Sequence, residues 1–120
     1  MADVVALVDD LFFVTKLKET ARQTGVSLET ATSGAQLVAA AANSPGALVI
    51  VDLNARQGAL DAVAQLANSG PGGNPRRVVA FLSHVQAELA ERARAAGCAE
   101  VMPRSQLAKN LAAILQGAKS

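Results

Sequence analysis

Short apolar runs alternate with segments of helical periodicity along the whole chain. Residues 4–8, 47–51 and 78–82 are continuously apolar and rich in β-branched side chains, the pattern of strands that are buried on both faces. Residues 26–31 alternate between apolar and polar positions, as in a strand with one exposed face, and residues 99–102 form a last short run. The pattern therefore predicts five strands.

A helical segment follows each strand. Residues 11–24 carry Phe13, Leu17 and Ala21 on one face and end at Gly25, a typical C-cap residue. Ser33 is expected to cap a second helix, which runs to residue 43. A third helix is predicted over 60–68. A fourth follows the fourth strand and ends at residue 96, and a fifth begins at a cap provided by Ser105. In the third and fifth of these helices the inward positions are expected to be Leu60, Val63, Ala64, Ala67, Leu107, Leu111, Ile114 and Leu115.

Strict alternation of strands and helices predicts an α/β domain with a doubly wound, five-stranded parallel sheet. We expect residues 1–120 to form a single domain, because this length is common for one domain. Aromatic side chains are limited to three Phe, so the core must consist mainly of Val, Leu, Ile and Ala.

The charge pattern argues against nucleic acid as a partner. The net charge is +1, and the short basic groups Arg76–Arg77 and Arg92 with Arg94 make no continuous stripe, so we interpret them as solvated surface. The single cysteine, Cys98, cannot form an intramolecular disulfide and is interpreted as a small core residue. No apolar run reaches membrane-spanning length, and we expect a cytoplasmic protein without a membrane partner.

Carboxylates follow two of the predicted buried strands. Asp9 and Asp10 end the first strand, and Asp52 ends the third. Ligands of open parallel sheets bind beyond the carboxyl ends of the strands, so these carboxylates meet if the two strands are neighbours. Their mutual repulsion favours a hard divalent cation such as Mg²⁺. The alternative is that they only cap the helices that follow.

In their order and placement these residues resemble the receiver domains of response regulators, over essentially the whole chain. The family carries an acidic pair after strand 1, matched by Asp9 and Asp10, and a phosphoryl-accepting Asp after strand 3, matched by Asp52. A Ser or Thr after strand 4 is matched by Ser83. The resemblance implies a flavodoxin-like (βα)5 fold with strand order 2-1-3-4-5.

The resemblance also implies a role for each matched residue. Mg²⁺ would be bound by Asp10, Asp52 and the backbone carbonyl of Asn54, and by Asp9 mostly through water. Asp52 would attack a phosphoryl donor as a carboxylate nucleophile. Ser83 would hydrogen-bond the acquired phosphate and pull its loop inward.

Two positions depart from the family pattern. Met102 stands before Pro103, where the family has a lysine that pairs with the phosphate. Arg104 lies two residues further on, but side-chain alternation and the turn at Pro103 make an outward direction about as plausible as one into the pocket, and we do not count on it to replace the lysine. Ala99 occupies the position of the family's aromatic switch residue.

Three functions follow as hypotheses. The first is a stand-alone receiver that a histidine kinase or phosphotransfer protein phosphorylates on Asp52 and that docks on a downstream protein partner through its fourth and fifth helices. The second is a pseudo-receiver that binds partners without phosphorylation, which Met102 and Ala99 favour. The third, a phosphohydrolase resembling the haloacid dehalogenases, is disfavoured because Asp9 and Asp10 are adjacent rather than spaced Asp-x-Asp, so we expect no enzyme. Phe12 is expected to lie in an exposed contact patch for a partner or for a second copy in a homodimer.

Overall fold

The computed structural model describes residues 2–55, 58–67, 76–82 and 86–118. Five parallel strands form one sheet in the order β2-β1-β3-β4-β5, which confirms the predicted doubly wound α/β fold. The strands are β1 (Val4–Leu7), β2 (Leu28–Ala31), β3 (Leu48–Asp52), β4 (Val78–Leu82) and β5 (Glu100–Pro103). The helices are α1 (Leu11–Thr24), α2 (Gly34–Ala42), α3 (Ala59–Leu66), α4 (Ala87–Ala96), α5 (Arg104–Lys109) and α6 (Leu111–Gly117).

The sheet separates two apolar cores. One face packs against α2, α3 and α4, and the other packs against α1, α5 and α6. Successive side chains of a strand point to opposite faces, so a central strand must be apolar throughout to line both cores. Every residue of β1, β3 and β4 is accordingly buried.

Local capping defines the ends of the helices. The Asp10 side chain caps α1 by accepting a hydrogen bond from the backbone N–H of Phe12. Ser33 caps α2 as predicted, with Oγ accepting from the backbone N–H of Gln36 at 3.2 Å. Gly25 and Gly97 end α1 and α4 with φ of 71° and 116°, a backbone conformation that L side chains rarely adopt.

Two details of the helices differ from the prediction. In α3 the buried positions include Ala62 and Leu66, whereas Ala64, predicted inward, is exposed. The last helix is not capped by Ser105, because α5 already begins at Arg104, and it is divided at Asn110. The Asn110 side chain donates to the backbone carbonyl of Gln106 at 3.1 Å, which also accepts the backbone N–H of Asn110 at the end of α5.

Arg76 is buried, which corrects its interpretation as solvated surface. Its guanidinium donates to the backbone carbonyls of Ala41, Ser44 and Ala47, at the end of α2 and the start of β3. The carbonyls of Ala41 and Ser44 also accept backbone N–H groups, and the guanidinium supplies several further donors at this helix end. Arg76 therefore ties the strand that carries Asp52 to the helix before it.

Cys98 is half-buried, and burial raises the pKa of its thiol to about 11. This placement agrees with the prediction of a small packed residue rather than a reactive one. Within the described ranges, no helix has the length and apolar composition needed to cross a bilayer.

Candidate functional site: an acidic pocket with a resident arginine

The pocket forms where two neighbouring strands end. β1 and β3 pair directly, Leu7 with Val51, so the residues that follow them lie side by side. Asp52, the last residue of β3, is only 1% exposed, whereas Asp10 is partly buried and Asp9 is exposed. The prediction had all three carboxylates converge; in the structure Asp10 and Asp52 lie close enough for one guanidinium to contact both, whereas Asp9 is exposed.

Asp52 is an acidic group in a mostly apolar setting. Its Oδ1 accepts a hydrogen bond from the backbone N–H of Asn54 at 2.9 Å, and the backbone N–H of Asp9 also donates to the carboxylate. Burial raises the pKa of Asp52, while these hydrogen bonds and the positive charge of Arg104 lower it in part. The carboxylate is thus desolvated but held by donors.

Asp10 has two functions in the structure. Its Oδ1 caps α1, and its Oδ2 accepts a hydrogen bond from Arg104 Nη1 at 2.6 Å. The pKa of Asp10 is lowered, chiefly by the hydrogen bond from the backbone N–H of Phe12; burial opposes this, and the hydrogen bond from Arg104 adds to the lowering. Asp10 therefore favours the ionised form at the edge of the pocket.

Arg104 points into the pocket, which answers the question that the sequence left open about its direction. Its Nη1 contacts Asp10, and its Nη2 lies 3.8 Å from Asp52 Oδ2. The guanidinium carbon lies 5.4 Å from the centre of the Phe13 ring and 5.8 Å from that of Phe81. Two carboxylates and two aromatic rings thus surround one cation.

The direction of Arg104 is set by its contacts with Asp10, Phe13 and Phe81 rather than by its place after β5. Met102 is buried in the core beneath α1 and α5, in register with Phe81. Arg104, two residues later, is the first residue of α5, so the alternation of side chains along a strand does not extend to it. A cation is present in the pocket, although Met102, at the position where the resemblance implies a lysine, is a core residue.

Other predicted site residues have different outcomes. The Asn54 side chain donates from Nδ2 to Gln86 Oε1 at 2.9 Å, which links the loop after β3 to the start of α4. Ser83 lies outside the described residues, so its predicted role stays a prediction. Ala99 is exposed and offers no aromatic side chain.

The chemistry of the pocket partly fits a magnesium ion. Carboxylate and carbonyl oxygens at Asp10, Asp52 and Asn54 are the ligand types that Mg²⁺ prefers. Within the described part of the chain, however, no group of three or more Asp, Glu, His or Cys side chains is close enough together to hold a metal. The donor set suits Mg²⁺, while a guanidinium already contacts the two inner carboxylates.

Solved structures with the same fold are numerous, although no family model matches the sequence and no curated protein matches it significantly. A response regulator receiver domain from Rhodospirillum rubrum is 17% identical with a TM-score of 0.75, over 97% of this chain and 92% of that one. The chemotaxis response regulator CheY4 of Vibrio cholerae is 20% identical with a TM-score of 0.77, over 98% of both chains. The phosphorylated cyanobacterial phytochrome response regulator RcpA is 16% identical with a TM-score of 0.72, over 97% and 89%. The chain therefore has the flavodoxin-like fold of response-regulator receiver domains, with strand order 2-1-3-4-5.

Proposed function

We propose that residues 1–120 act as a single receiver domain in two-component signalling, with Asp52 as the phosphoryl acceptor. The observation that supports this most directly is the buried Asp52 carboxylate at the end of β3, with Asp10 and the Arg104 cation beside it. A strand-end carboxylate with a neighbouring cation is what acyl-phosphate formation requires, because charge builds up on the phosphoryl oxygens. The domain would signal in the cytoplasm rather than act as an enzyme on a diffusible substrate.

In the proposed reaction an Asp52 oxygen attacks the phosphorus of a phosphohistidine on a histidine kinase or phosphotransfer protein. The O–P bond forms as the P–N bond breaks, and the histidine leaves. The N–H of Asn54 holds one Asp52 oxygen and so orients the other. Arg104 would pair with the phosphate in the place of the family's lysine.

Mg²⁺, when bound, would offset the negative charge of the phosphoryl group. Asp10, Asp52 and the backbone carbonyl of Asn54 are the residues proposed to hold it, with Asp9 acting through water. Ser83 is proposed to hydrogen-bond the phosphate and to convey phosphorylation to a downstream protein partner near α4 and α5.

A second candidate is a pseudo-receiver that binds its partner without phosphorylation. Two observations favour it: Arg104 already offsets the charge of Asp10 and Asp52, and neither the lysine nor the switch aromatic of the family is present at Met102 and Ala99. In this function the pocket would be a structural ion-pair site, and partner binding would be constitutive.

Amide NMR spectra separate the two candidates. The labelled protein is measured in EDTA, with Mg²⁺, and with Mg²⁺ plus beryllofluoride, a phosphoryl mimic, alongside Asp52→Asn. Beryllofluoride-dependent shifts near Asp10 and Asp52 that disappear in the variant would support the phosphoryl acceptor. A response to Mg²⁺ without any to beryllofluoride would favour the pseudo-receiver.

A further inference from the structure

Arg104 is held in the pocket by groups from three elements and from the loop between β1 and α1. Asp10 follows β1, Phe13 belongs to α1, and Asp52 and Phe81 belong to β3 and β4. The side chain is 30% exposed, and its Nε is buried without a hydrogen-bond partner among the described residues. Leaving a charged donor unpaired is unfavourable, so the contacts at the two Nη atoms and the rings must outweigh it.

The helix that begins at Arg104 does not favour a cation there. Helix N-termini carry partial positive charge, and Pro103, which precedes Arg104, provides no side-chain cap. The stabilisation of the guanidinium therefore comes from across the sheet, from Asp10 above all. The Arg104 side chain therefore interacts with the pocket carboxylates and does not stabilise the helix that it begins.

The guanidinium contacts the same carboxylate oxygens that a metal ion would need. Asp10 Oδ1 is engaged in capping α1, so its Oδ2 is the oxygen that faces the pocket, and Arg104 is bonded to it. On the Asp52 side Oδ1 accepts from Asn54, and Oδ2 is the oxygen closest to Arg104. A divalent cation at these two Oδ2 atoms and a guanidinium at the same atoms would repel each other.

We propose that Arg104 is a built-in cation that competes with Mg²⁺ for Asp10 and Asp52, so that metal binding requires the guanidinium to leave Asp10. This inference rests on the proposed function, since it concerns the affinity of the same pocket for its metal. Competition is reciprocal: bound Mg²⁺ weakens the Arg104 contact by the same factor by which the contact weakens Mg²⁺ binding. The pocket is thereby set to bind Mg²⁺ more weakly than its carboxylates alone would allow.

The test compares Mg²⁺ dissociation constants of the full chain, measured by amide NMR titration with MgCl₂. Arg104→Met removes the charge but keeps an unbranched apolar side chain that packs against Phe13 and Phe81. Arg104→Lys keeps a positive charge. Arg77→Met is the matched control, because it removes the same charge from a 2.6 Å ion pair with Glu100, away from the pocket.

We expect Arg104→Met to bind Mg²⁺ roughly 10-fold more tightly than the wild type, as removal of a partly screened unit charge a few ångströms from a divalent ion implies. The Mg²⁺ dissociation constant of Arg77→Met should stay within about two-fold of the wild-type value, since salt screens an exposed charge that lies more than a Debye length from the pocket. Arg104→Lys should remain much closer to the wild type than Arg104→Met.

Equal or weaker Mg²⁺ binding by Arg104→Met would overturn the inference while leaving the proposed function in place. Absence of Mg²⁺ binding in both proteins would overturn it together with the metal part of the proposed function. The wild type provides a second readout that needs no variant: the Nε–H resonance of Arg104 should shift as Mg²⁺ is added. An Nε–H resonance that stays in place while the Asp10 amide shifts would show that both cations bind together, contrary to the inference.

Discussion

Replacing the buried Arg76 by methionine should destabilise the fold markedly. Its guanidinium donates to the backbone carbonyls of Ala41, Ser44 and Ala47 at distances of up to 3.3 Å. A hydrogen bond from a charged donor contributes about 1.5–3 kcal/mol, but the carbonyls of Ala41 and Ser44 also accept backbone N–H groups, so only part is lost. Burial lowers the pKa of Arg76, which means that the variant is also relieved of an unfavourable buried charge.

The net loss for Arg76→Met should be about 2–3 kcal/mol in the free energy of unfolding. An unfolding entropy of about 2.1 cal/mol/K per residue gives roughly 0.25 kcal/mol/K for a chain of 120 residues. Each kcal/mol therefore lowers Tm by about 4 °C, and Arg76→Met should melt about 8–12 °C below the wild type.

The neighbouring arginine is a matched control for this measurement. Arg77 forms a half-exposed ion pair with Glu100, a type that contributes at most about 1 kcal/mol, so Arg77→Met should lower Tm by less than about 4 °C. Thermal unfolding followed by far-UV circular dichroism suits a protein without tryptophan. Melting temperatures of the two variants within about 2 °C of each other would refute the reasoning, because burial of the guanidinium would then have no consequence.

Three further changes have defined outcomes. Asp52→Asn should stabilise the protein at pH 7 in EDTA by on the order of 1 kcal/mol. The folded-state pKa of Asp52 is raised above its unfolded value, so the wild type loses stability as the pH rises from the unfolded pKa through the folded pKa, and the variant does not. Parallel curves of unfolding free energy against pH for the two proteins, from urea unfolding at pH 4 to 8, would contradict this. Phe12→Ser should change Tm by less than about 2 °C, since the side chain is 90% exposed, while weakening partner binding or self-association in sedimentation and pull-down experiments. Gly97→Ala should cost about 2–4 kcal/mol, because its φ is +116° and the added Cβ would lie 2.4 Å from that of Ala67; Gly46→Ala, with no atom within 4 Å, is the control, and equal stability of the two variants would argue against strain at Gly97.

The central strands that the sequence predicted are those whose hydrophobic pattern allows only one location in the fold. The continuous apolar runs of β1, β3 and β4 have no other stable location than the centre of a parallel sheet. The buried face of α3 was partly misassigned because that helix is apolar at six of eight positions, with polar groups only at Asp61 and Gln65. Periodicity then carries little information, and packing against the sheet decides the face.

Strand ends alone account for the position of the pocket carboxylates, whereas the placement of Arg104 and Arg76 depends on groups that are remote in sequence. The meeting of Asp10 with Asp52 follows from the pairing of β1 with β3. The direction of Arg104 depends on Asp10 and two aromatic rings that are remote in sequence, and the burial of Arg76 depends on carbonyls at the end of α2. Such many-body contacts become visible only once the elements have been assembled.

The division of the last helix at Asn110 affects how far a rearrangement at Arg104 would spread. α5 has six residues and buries only Leu107, whereas α6 packs on α1 through Leu111 and Leu115. A short helix with one buried anchor has a low free energy of local opening. When Arg104 leaves the pocket, α5 alone can thus rearrange, while α6 stays packed on α1. The surface formed by α5 then changes, and the rest of the domain keeps its structure.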